Sequence, residues 1–311
     1  CPTWPKAVRI QNEAREAYHV TQANQAPAAP MPETPRSTDS KPSQTATPPA
    51  RKNRKVEPAL EDFDESKEPP STIPRPLAAG LLWAGPLFCL VGLMGWARIL
   101  MAAPIAPQME FRFSALAVDF LLLMLFILPH SIFARGIGRK WLNAPLGPCG
   151  DRPLYVLISG CCLSIMATYW QTTGPVLWDL GGLPALFARF VQGTGLALAT
   201  WAAIVVGGSN LLGLPHLHAL ATGRKEPGQE FVALPPYSLV RQPLNLGILL
   251  ALLGMPEVTM DRFMLGALTA TWILLVTPYE ERDAEMVFGE GYNVYRDRTP
   301  RWFPKRHKPE E

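Results

Sequence analysis

The sequence has little net charge and few cysteines, and both shortages exclude classes of protein. Its 29 Lys/Arg and 26 Asp/Glu residues leave a formal net charge of +3, which is too small to indicate a nucleic-acid partner. The five cysteines form no CxxC pair, so neither a disulfide framework nor a zinc site is expected. Cys161 and Cys162 lie inside an apolar segment, where small thiols are ordinary packing residues. We expect no bound metal.

Residues 1–76 lack the large apolar side chains that a folded core needs. They contain 14 prolines, 11 Lys/Arg and 10 Asp/Glu. A segment of this composition buries too little apolar surface to offset its ordering entropy, so we predict a disordered, Pro-rich tail. Its basic cluster from Arg51 to Lys55 is interpreted as solvated, with contact to anionic lipid as the alternative. The sequence names no protein partner for this tail.

Long runs without charge dominate the chain from Leu77 onward. The first, Leu77 to Ala97, has 21 residues and as an α-helix matches the roughly 30 Å hydrocarbon core of a bilayer. The fold class is therefore all-α, a polytopic transmembrane bundle of about five or six helices over 77–304, followed by a charged tail over 305–311. The two last runs predict a helical hairpin broken at Pro256-Glu257, its first arm too short to cross. The further runs are Phe113–Ala134, Leu154–Thr173, Phe190–Gly208, Leu244–Pro256 and Phe263–Tyr279.

Basic residues concentrate in alternate connections between these runs. The connection 134–153 holds four of them and 209–243 holds three, whereas 174–189 has only Arg189 at its end. By the positive-inside rule both termini and the two basic connections are cytoplasmic, in a multi-pass protein of a bacterial inner membrane. The chain begins at Cys1, which we interpret as a fragment start or a processed terminus. A cytoplasmic tail disfavours a lipid anchor on that cysteine.

Two histidine-bearing stretches could carry chemistry within or near the membrane. Asp119 and His130 are three helical turns apart and so lie on one face, about 16 Å from each other along the axis. His130 is either a helix-end histidine bonded to a carbonyl, or a site residue or haem ligand. His216 and His218 would share a face on a strand and would diverge on a helix, and no third ligand with metal spacing lies near them.

Two polar stretches border the last apolar runs. Arg241 and Gln242 precede the short run, and Arg241 is either an interfacial anchor or a clamp for a carboxylate or phosphate. Glu280 directly abuts the last run, so it lies at the interface or in a polar cavity. Tyr292 and Tyr295 are three residues apart and share a helix face. An amphipathic helix lying on the membrane explains much of this second stretch, but not its coupling of glutamates to tyrosines.

Together these two stretches resemble the isoprenylcysteine carboxyl methyltransferase superfamily, over roughly residues 80–304. The usual first motif is Arg-His-Pro followed after three residues by Gly, often with Tyr two residues after the Pro. Here Arg241, Pro243 and Gly247 keep the frame, Gln242 replaces the His and Asn245 replaces the aromatic residue. Within the superfamily, the stretches His130-Ser131, Asn210 to Leu214 and Glu280 to Asp283 look most like those of the bacterial methanethiol S-methyltransferases and the NnrU-type membrane proteins. The second motif is matched by Glu280, Glu281, Phe288, Gly289, Tyr292, Tyr295, Pro300 and Pro304.

The resemblance implies a membrane enzyme that uses S-adenosylmethionine to methylate a small thiol or another apolar acceptor. It places Tyr237, Arg241, Gln242 and Gly247 on one side of the cofactor and Glu280, Tyr292 and Tyr295 on the other. Arg241, Glu280 and His130 are the expected catalytic residues. The alternative is an NnrU-like protein, either a haem-binding relative of the zeta-carotene isomerase or a non-catalytic accessory subunit. Gln242 is a poor haem ligand, so His216 or His218 would have to replace it.

Overall fold

The computed structural model describes residues 75–102, 110–135, 150–224 and 231–303, together with the single residues Glu16, Gly138 and Leu142. The predicted disordered tail therefore lies outside the described residues, apart from its last two positions and Glu16. The predicted C-terminal tail over 305–311 lies outside them as well.

Within the described residues the chain forms ten helices and two short strands. In chain order they are α1 (Arg75–Leu82), α2 (Ala84–Met101), α3 (Phe113–Phe133), α4 (Asp151–Tyr169), β1 (Val176–Asp179), α5 (Gly182–Val205), α6 (Gly208–Leu211), α7 (Leu214–Thr222), α8 (Pro243–Leu253), β2 (Glu257–Thr259), α9 (Met260–Phe288) and α10 (Glu290–Arg298).

The all-α polytopic bundle is confirmed by four helical segments that are long and apolar enough to cross a membrane. They are Ala78–Met101, which joins α1 to α2, and α3, α4 and α9. The short run forms α8, whose 11 residues span only about 16 Å, as its length predicted. The run expected to start at Phe190 starts earlier, at Gly182, as α5. Arg189 lies inside that helix, and its guanidinium donates a hydrogen bond of 2.9 Å to the side-chain oxygen of Gln192 one turn later.

Successive long helices run in alternate directions, so the bundle has two distinct ends. We call one the proximal end, where His130 on α3, Tyr155 on α4, and Asn245 and Glu280 on α8 and α9 come together. The start of α1 packs near it against α7 and the first turns of α4. The other is the distal end, where the last turn of α2, the start of α3 and the first residues of α9 meet. The first and last described segments therefore both lie at the proximal end.

Buried carboxylates tie the helices together at the distal end. Asp261, fully buried at the start of α9, accepts hydrogen bonds from the indole of Trp170 at 2.9 Å and from the backbone of Thr173 at 3.1 Å. Asp119 on α3 accepts one from the backbone of Gln171 at 2.8 Å. Because His130 turns toward α4 as well, the prediction that Asp119 and His130 share a face is confirmed.

The connection between α8 and α9 corrects the expected hairpin. The chain does break at Pro256-Glu257, but the residues after the break form β2, which pairs antiparallel with β1. The backbone N–H of Leu180 also bonds the carbonyl of Pro256 at 3.0 Å. Strands of three and four residues are too short to show an alternating pattern in the sequence, which is why only a break was predicted.

Helix α8 lies directly on α5 because both helices present small residues at the contact. A Cβ added to Gly247 would lie 2.5 Å from the backbone nitrogen of Ala199, and one added to Gly195 would lie 2.6 Å from the carbonyl oxygen of Gly247. Backbones approach this closely only where side chains are absent or small, a common device of helix pairs in membranes. The position of the short helix α8 is thus fixed by its packing against α5.

This contact predicts unequal effects of two alanine substitutions on α5. Gly195→Ala forces a methyl group into the backbone of α8 and should destabilise the protein by about 1–3 kcal/mol. Gly193→Ala is the matched control, since nothing lies within 4 Å of its added Cβ. The helix propensity of alanine should leave it neutral or stabilised by up to about 1 kcal/mol. Thermal unfolding in detergent measures both, and equal melting temperatures for the two variants would contradict the close contact.

Candidate functional site at the proximal end of the bundle

The tyrosine pair of α10 forms part of a small core that holds the loop before α8. Tyr292 and Tyr295 are both buried, with ring centroids 5.9 Å apart, so their expected common face is confirmed. They pack with Ala233 and, at a ring distance of 5.3 Å from Tyr295, with Phe231. The hydroxyl of Tyr295 donates to the carbonyl oxygen of Tyr237 at 2.7 Å. The pair therefore fixes the position of the loop that carries Tyr237.

Arg241 is bound on all sides by this chain's own groups. Its Nε and Nη2 donate to the two carboxylate oxygens of Glu281 at 3.0 and 3.3 Å. Its Nη1 donates to the carbonyl oxygens of Arg296 and Thr299 at 2.9 and 2.7 Å. The clamp expected of this guanidinium thus exists, and the carboxylate that it holds belongs to α9. The predicted catalytic role of Arg241 stays a prediction.

A second arginine completes the ion cluster around Glu281. Arg301 donates through Nε and Nη2 to the same two carboxylate oxygens at 3.1 and 2.6 Å, and the pKa of Arg301 is raised by those hydrogen bonds. The backbone N–H groups of Arg241 and Gln242 also bond the carbonyl oxygens of Pro300 and Arg301. The segment after α10, the start of α8 and helix α9 are therefore joined at one buried carboxylate.

Glu280, the preceding residue, faces another way and is exposed. Adjacent residues on an α-helix point about 100° apart, so one of the two glutamates enters the ion cluster while the other faces outward. Glu280 Oε2 accepts a hydrogen bond of 3.2 Å from the side-chain nitrogen of Asn245. The same nitrogen donates to Oε1 of Gln242 at 2.9 Å. Glu280 thus lies beside the N-terminus of α8, whose positive dipole end favours a carboxylate.

His130 lies opposite, in a group of rings between α3 and α4. Its Nδ1 is 3.0 Å from the hydroxyl oxygen of Tyr155, and the centre of its ring lies 5.1 Å from that of Phe126, with the two rings tilted by 32°. The guanidinium of Arg152 lies 5.4 Å from the centre of the Tyr155 ring. Arg152 and Tyr155 also line a small cavity between the end of α3 and the start of α4. His130 is therefore a side chain held by a tyrosine rather than by a carbonyl.

Arg135 brings an unsatisfied guanidinium nitrogen to the same end. Its guanidinium lies 4.9 Å from the centre of the Tyr279 ring, and its Nη2 is buried without a hydrogen-bond partner in the part of the chain that the structure describes. The positive charge of Arg135 interacts with the negative charge of Glu280. Glu280 also interacts electrostatically with Tyr155 and Tyr237. We call this group the proximal polar cluster. Its members are His130, Arg135, Arg152, Tyr155, Tyr237, Gln242, Asn245 and Glu280.

The hydroxyls of Tyr237 and Tyr292 stay protonated at physiological pH. Burial, followed by the charge of Glu280, raises the pKa of Tyr237 to about 12. Burial, followed by the charge of Glu281, raises the pKa of Tyr292 to about 12. Tyr237 is therefore a neutral O–H group beside a carboxylate, able to donate or accept a hydrogen bond.

The structure brings some of the predicted site residues together and separates others. Tyr237, Gln242, Glu280 and His130 belong to the proximal polar cluster. Arg241, Tyr292 and Tyr295 stand behind it in the ion cluster and the small core, and Gly247 faces α5.

Sequence reasoning missed three members of the cluster, Arg135, Arg152 and Tyr155, and named a fourth, Asn245, only as a departure from the motif. The two arginines were counted only as topology signals, although their positions just after the end of α3 and in the first turn of α4 could have suggested a site near His130.

Comparisons with known proteins identify relatives of this chain. It is 30% identical over 191 residues to "Methanethiol S-methyltransferase 2" of Bradyrhizobium diazoefficiens, an alignment that covers 61% of this chain and 74% of the relative. It is 32% identical over 185 residues to "Methanethiol S-methyltransferase" of Pseudomonas deceptionensis, covering 58% and 70%. It is also 29% identical over 181 residues to "Nurim" of Mus musculus, covering 55% and 68%. No protein-family model matches the chain, and no solved structure does.

The ion cluster predicts that two neighbouring glutamates on α9 differ in their contribution to stability. Glu281→Gln leaves two arginines without their carboxylate at a site where the side chains of Glu281 and Arg241 are only 8% and 11% exposed. Removing one partner of a buried pair costs about 3–5 kcal/mol. The matched control is Glu285→Gln, whose pair with Arg296 is 41% and 38% exposed and should cost about 1 kcal/mol or less. Unfolding free energies measure this difference, and equal losses would argue against the structural role of Glu281.

Proposed function

This chain belongs to the methanethiol S-methyltransferase family, and on that premise we propose that it transfers a methyl group from S-adenosylmethionine to a small thiol or another apolar acceptor. The transfer takes place in the proximal polar cluster of a multi-pass membrane protein. The observation that carries this proposal is the contrast between two adjacent glutamates. Both carboxylate oxygens of Glu281 accept hydrogen bonds from two arginines. Glu280, by contrast, is exposed among tyrosines and polar side chains and remains available to a ligand.

The residues of the cluster fit the chemical groups of S-adenosylmethionine. That molecule combines a sulfonium cation, an amino-acid end and an adenosine. A carboxylate and aromatic faces suit a cation, and the cluster offers Glu280 together with Tyr155 and Tyr237. A guanidinium suits a carboxylate, and Arg135 has a buried Nη2 without a partner. An orphaned donor of this kind is costly unless a ligand or water binds it.

When bound, the cofactor supplies an electrophilic methyl carbon, and the protein supplies proximity and alignment. In this proposal Glu280 holds positive charge at one side of the cluster, and Arg135 holds the carboxylate of the amino-acid end. Tyr237 offers its neutral hydroxyl, and Gln242 its side-chain amide, to the remaining polar groups.

His130 and Tyr155 serve the acceptor side. A thiol reacts as its thiolate, so its proton must leave before the methyl group arrives. His130 can take a proton on one ring nitrogen while the Tyr155 hydroxyl, 3.0 Å from Nδ1, holds the ring in place. Arg152, over the Tyr155 ring, adds a positive charge that favours a thiolate nearby.

Arg241, Tyr292, Tyr295 and Gly247 contribute to the same site by holding its wall. Arg241 joins the loop to Glu281 and to the segment after α10, and Tyr295 fixes the carbonyl of Tyr237. Gly247 lets α8 lie on α5. These residues position Gln242 and Tyr237, which face the ligand in this proposal.

A methyl-transfer assay in membranes with labelled S-adenosylmethionine and thiols of increasing size tests the proposal. We expect a labelled sulfide from the smallest thiols. Glu280→Gln removes the charge but keeps the shape, so kcat/KM should fall about 10- to 100-fold, as expected for one charge-assisted contact. Glu285→Gln is the control on the same helix and should keep full activity.

Two outcomes would contradict this function. One is the absence of label in every thiol offered, and the other is full activity of Glu280→Gln. A Soret band in the purified protein would point to the haem-binding alternative instead.

We also propose that the proximal end faces the cytoplasm, where S-adenosylmethionine is made. This orientation is supported by the basic residues that follow α3 and precede α4 and α8.

Single cysteines at Ser238 and Leu183, introduced into a variant with its native cysteines replaced, test the orientation. Ser238 lies in the loop before α8, and Leu183, which is 81% exposed, lies in the first turn of α5 at the opposite end. In intact cells an impermeant thiol reagent should label position 183 and not position 238, and inverted vesicles should reverse the result. Labelling of position 238 in intact cells would overturn the orientation.

A further inference from the structure

Two side chains at the start of α8 are hydrogen-bonded to each other, and one of them, Asn245, also bonds Glu280. Gln242 is the N-cap residue of α8, and Asn245 is the third residue of the helix. The nitrogen Nδ2 of Asn245 is 2.9 Å from Gln242 Oε1 and 3.2 Å from Glu280 Oε2. These are the two positions at which the chain departs from the Arg-His-Pro motif. The replacements are therefore not independent, because their side chains form one unit with the exposed glutamate.

Helix capping does not explain this arrangement. A capping side chain normally accepts a hydrogen bond from a backbone N–H of the first turn, and the third residue often bonds the N–H of the cap. Here the N-cap residue makes no side-chain cap bond. The backbone N–H of Gln242 is already bonded to the carbonyl oxygen of Arg301 at 3.2 Å. The two side chains thus bond each other, and Asn245 bonds Glu280, whereas neither caps the helix end.

The charge of Glu280 fixes the direction of these hydrogen bonds. An ionised carboxylate can only accept, so the Asn245 atom beside it must be the amide nitrogen. That nitrogen has two hydrogens, and its two partners are Glu280 Oε2 and Gln242 Oε1. Because the oxygen of Gln242 accepts from Asn245, the nitrogen Nε2 is at the other branch of the amide. Its two hydrogens have no acceptor among the residues that the structure describes. Gln242 is thereby set as a donor.

We propose that Asn245 is a positioning residue that orients Gln242 as a hydrogen-bond donor to an oxygen of the bound methyl donor, either a carboxylate or a hydroxyl oxygen. This inference rests on the function proposed above. Asn245 also occupies one carboxylate oxygen of Glu280, which leaves Oε1 for the ligand. The pair Gln242 and Asn245 in this way provides the N–H donor that a histidine would present at position 242.

Binding of S-adenosylmethionine and S-adenosylhomocysteine to the full chain in nanodiscs, measured by calorimetry, tests the inference. Asn245→Leu removes the donor and should weaken binding about tenfold, as expected for one hydrogen bond to a charged group. Gln242→Glu keeps the oxygen that accepts from Asn245 but replaces the donor by an acceptor, so it should weaken binding at least as much. Gln242→His restores a donor and should stay within a few-fold of the wild type.

The pH dependence of Asn245→Asp separates positioning from a general loss of structure. At mildly alkaline pH the introduced carboxylate cannot donate and repels Glu280, so binding should be weaker than in Asn245→Leu. At mildly acidic pH the introduced group gains a proton, can donate again, and should recover most of the affinity. Asn210→Asp, an exposed asparagine outside the cluster, is the control and should show no such recovery. The charged and titratable groups around this position are Glu280, Glu281, Asp283, Arg135, Tyr155 and Tyr237.

The outcomes distinguish this inference from the proposed function. If the wild type binds neither compound, the function fails. The hydrogen-bonded unit is then tested by an unfolding cycle with Asn245→Leu and Glu280→Gln, in which additive effects would overturn it. If the wild type binds, and Asn245→Leu and Gln242→Glu both bind as tightly as the wild type, the positioning role is wrong while the function stands. A loss of binding in Asn245→Asp that does not change with pH would overturn it too.

Discussion

The ion cluster of Glu281 with Arg241 and Arg301 is the interaction on which the geometry of the proximal end depends. A carboxylate that is nearly fully buried costs several kcal/mol unless its oxygens are bonded, and here each oxygen accepts from both arginines. The arginines come from the loop before α8 and from the segment after α10, so one charge joins three parts of the chain that are distant in sequence. Arg241 extends the junction to two further carbonyl oxygens through Nη1.

That junction allows Glu280 to stay available. The turn of an α-helix sends adjacent side chains about 100° apart, so a Glu-Glu pair at a helix surface can place one residue inside and one outside. With Glu281 fixed inside, the direction of Glu280 follows from the helix itself. The wall opposite is fixed as well, because the hydroxyl of Tyr295 binds the carbonyl of Tyr237. The carboxylate of Glu280 therefore lies beside its polar neighbours because Glu281 fixes the helix and Tyr295 fixes the loop opposite.

The sequence predicted what depends on local periodicity and missed what depends on packing between distant segments. Charge-free runs predicted the spanning helices, and spacing predicted the common faces of Asp119 with His130 and of Tyr292 with Tyr295. No local signal shows that Arg241 would find Glu281, 40 residues later. Arg135, Arg152 and Tyr155 join the cluster only because the end of α3 lies beside the start of α4. The paired strands β1 and β2 were too short to be seen.

The contact between α5 and α8 fixes the position of the site independently of the side chains that would bind a ligand there. Backbone approaches at Gly195 and Gly247 fix where α8 begins, and Pro243 and the bonds to Pro300 and Arg301 fix how the chain enters it. None of these constraints involves the side chains of Gln242 or Asn245. Those side chains can therefore change together without moving the wall, provided that they keep bonding Glu280. A histidine replaced by glutamine at this place is consistent with a retained donor, because the neighbouring asparagine settles which way the amide points.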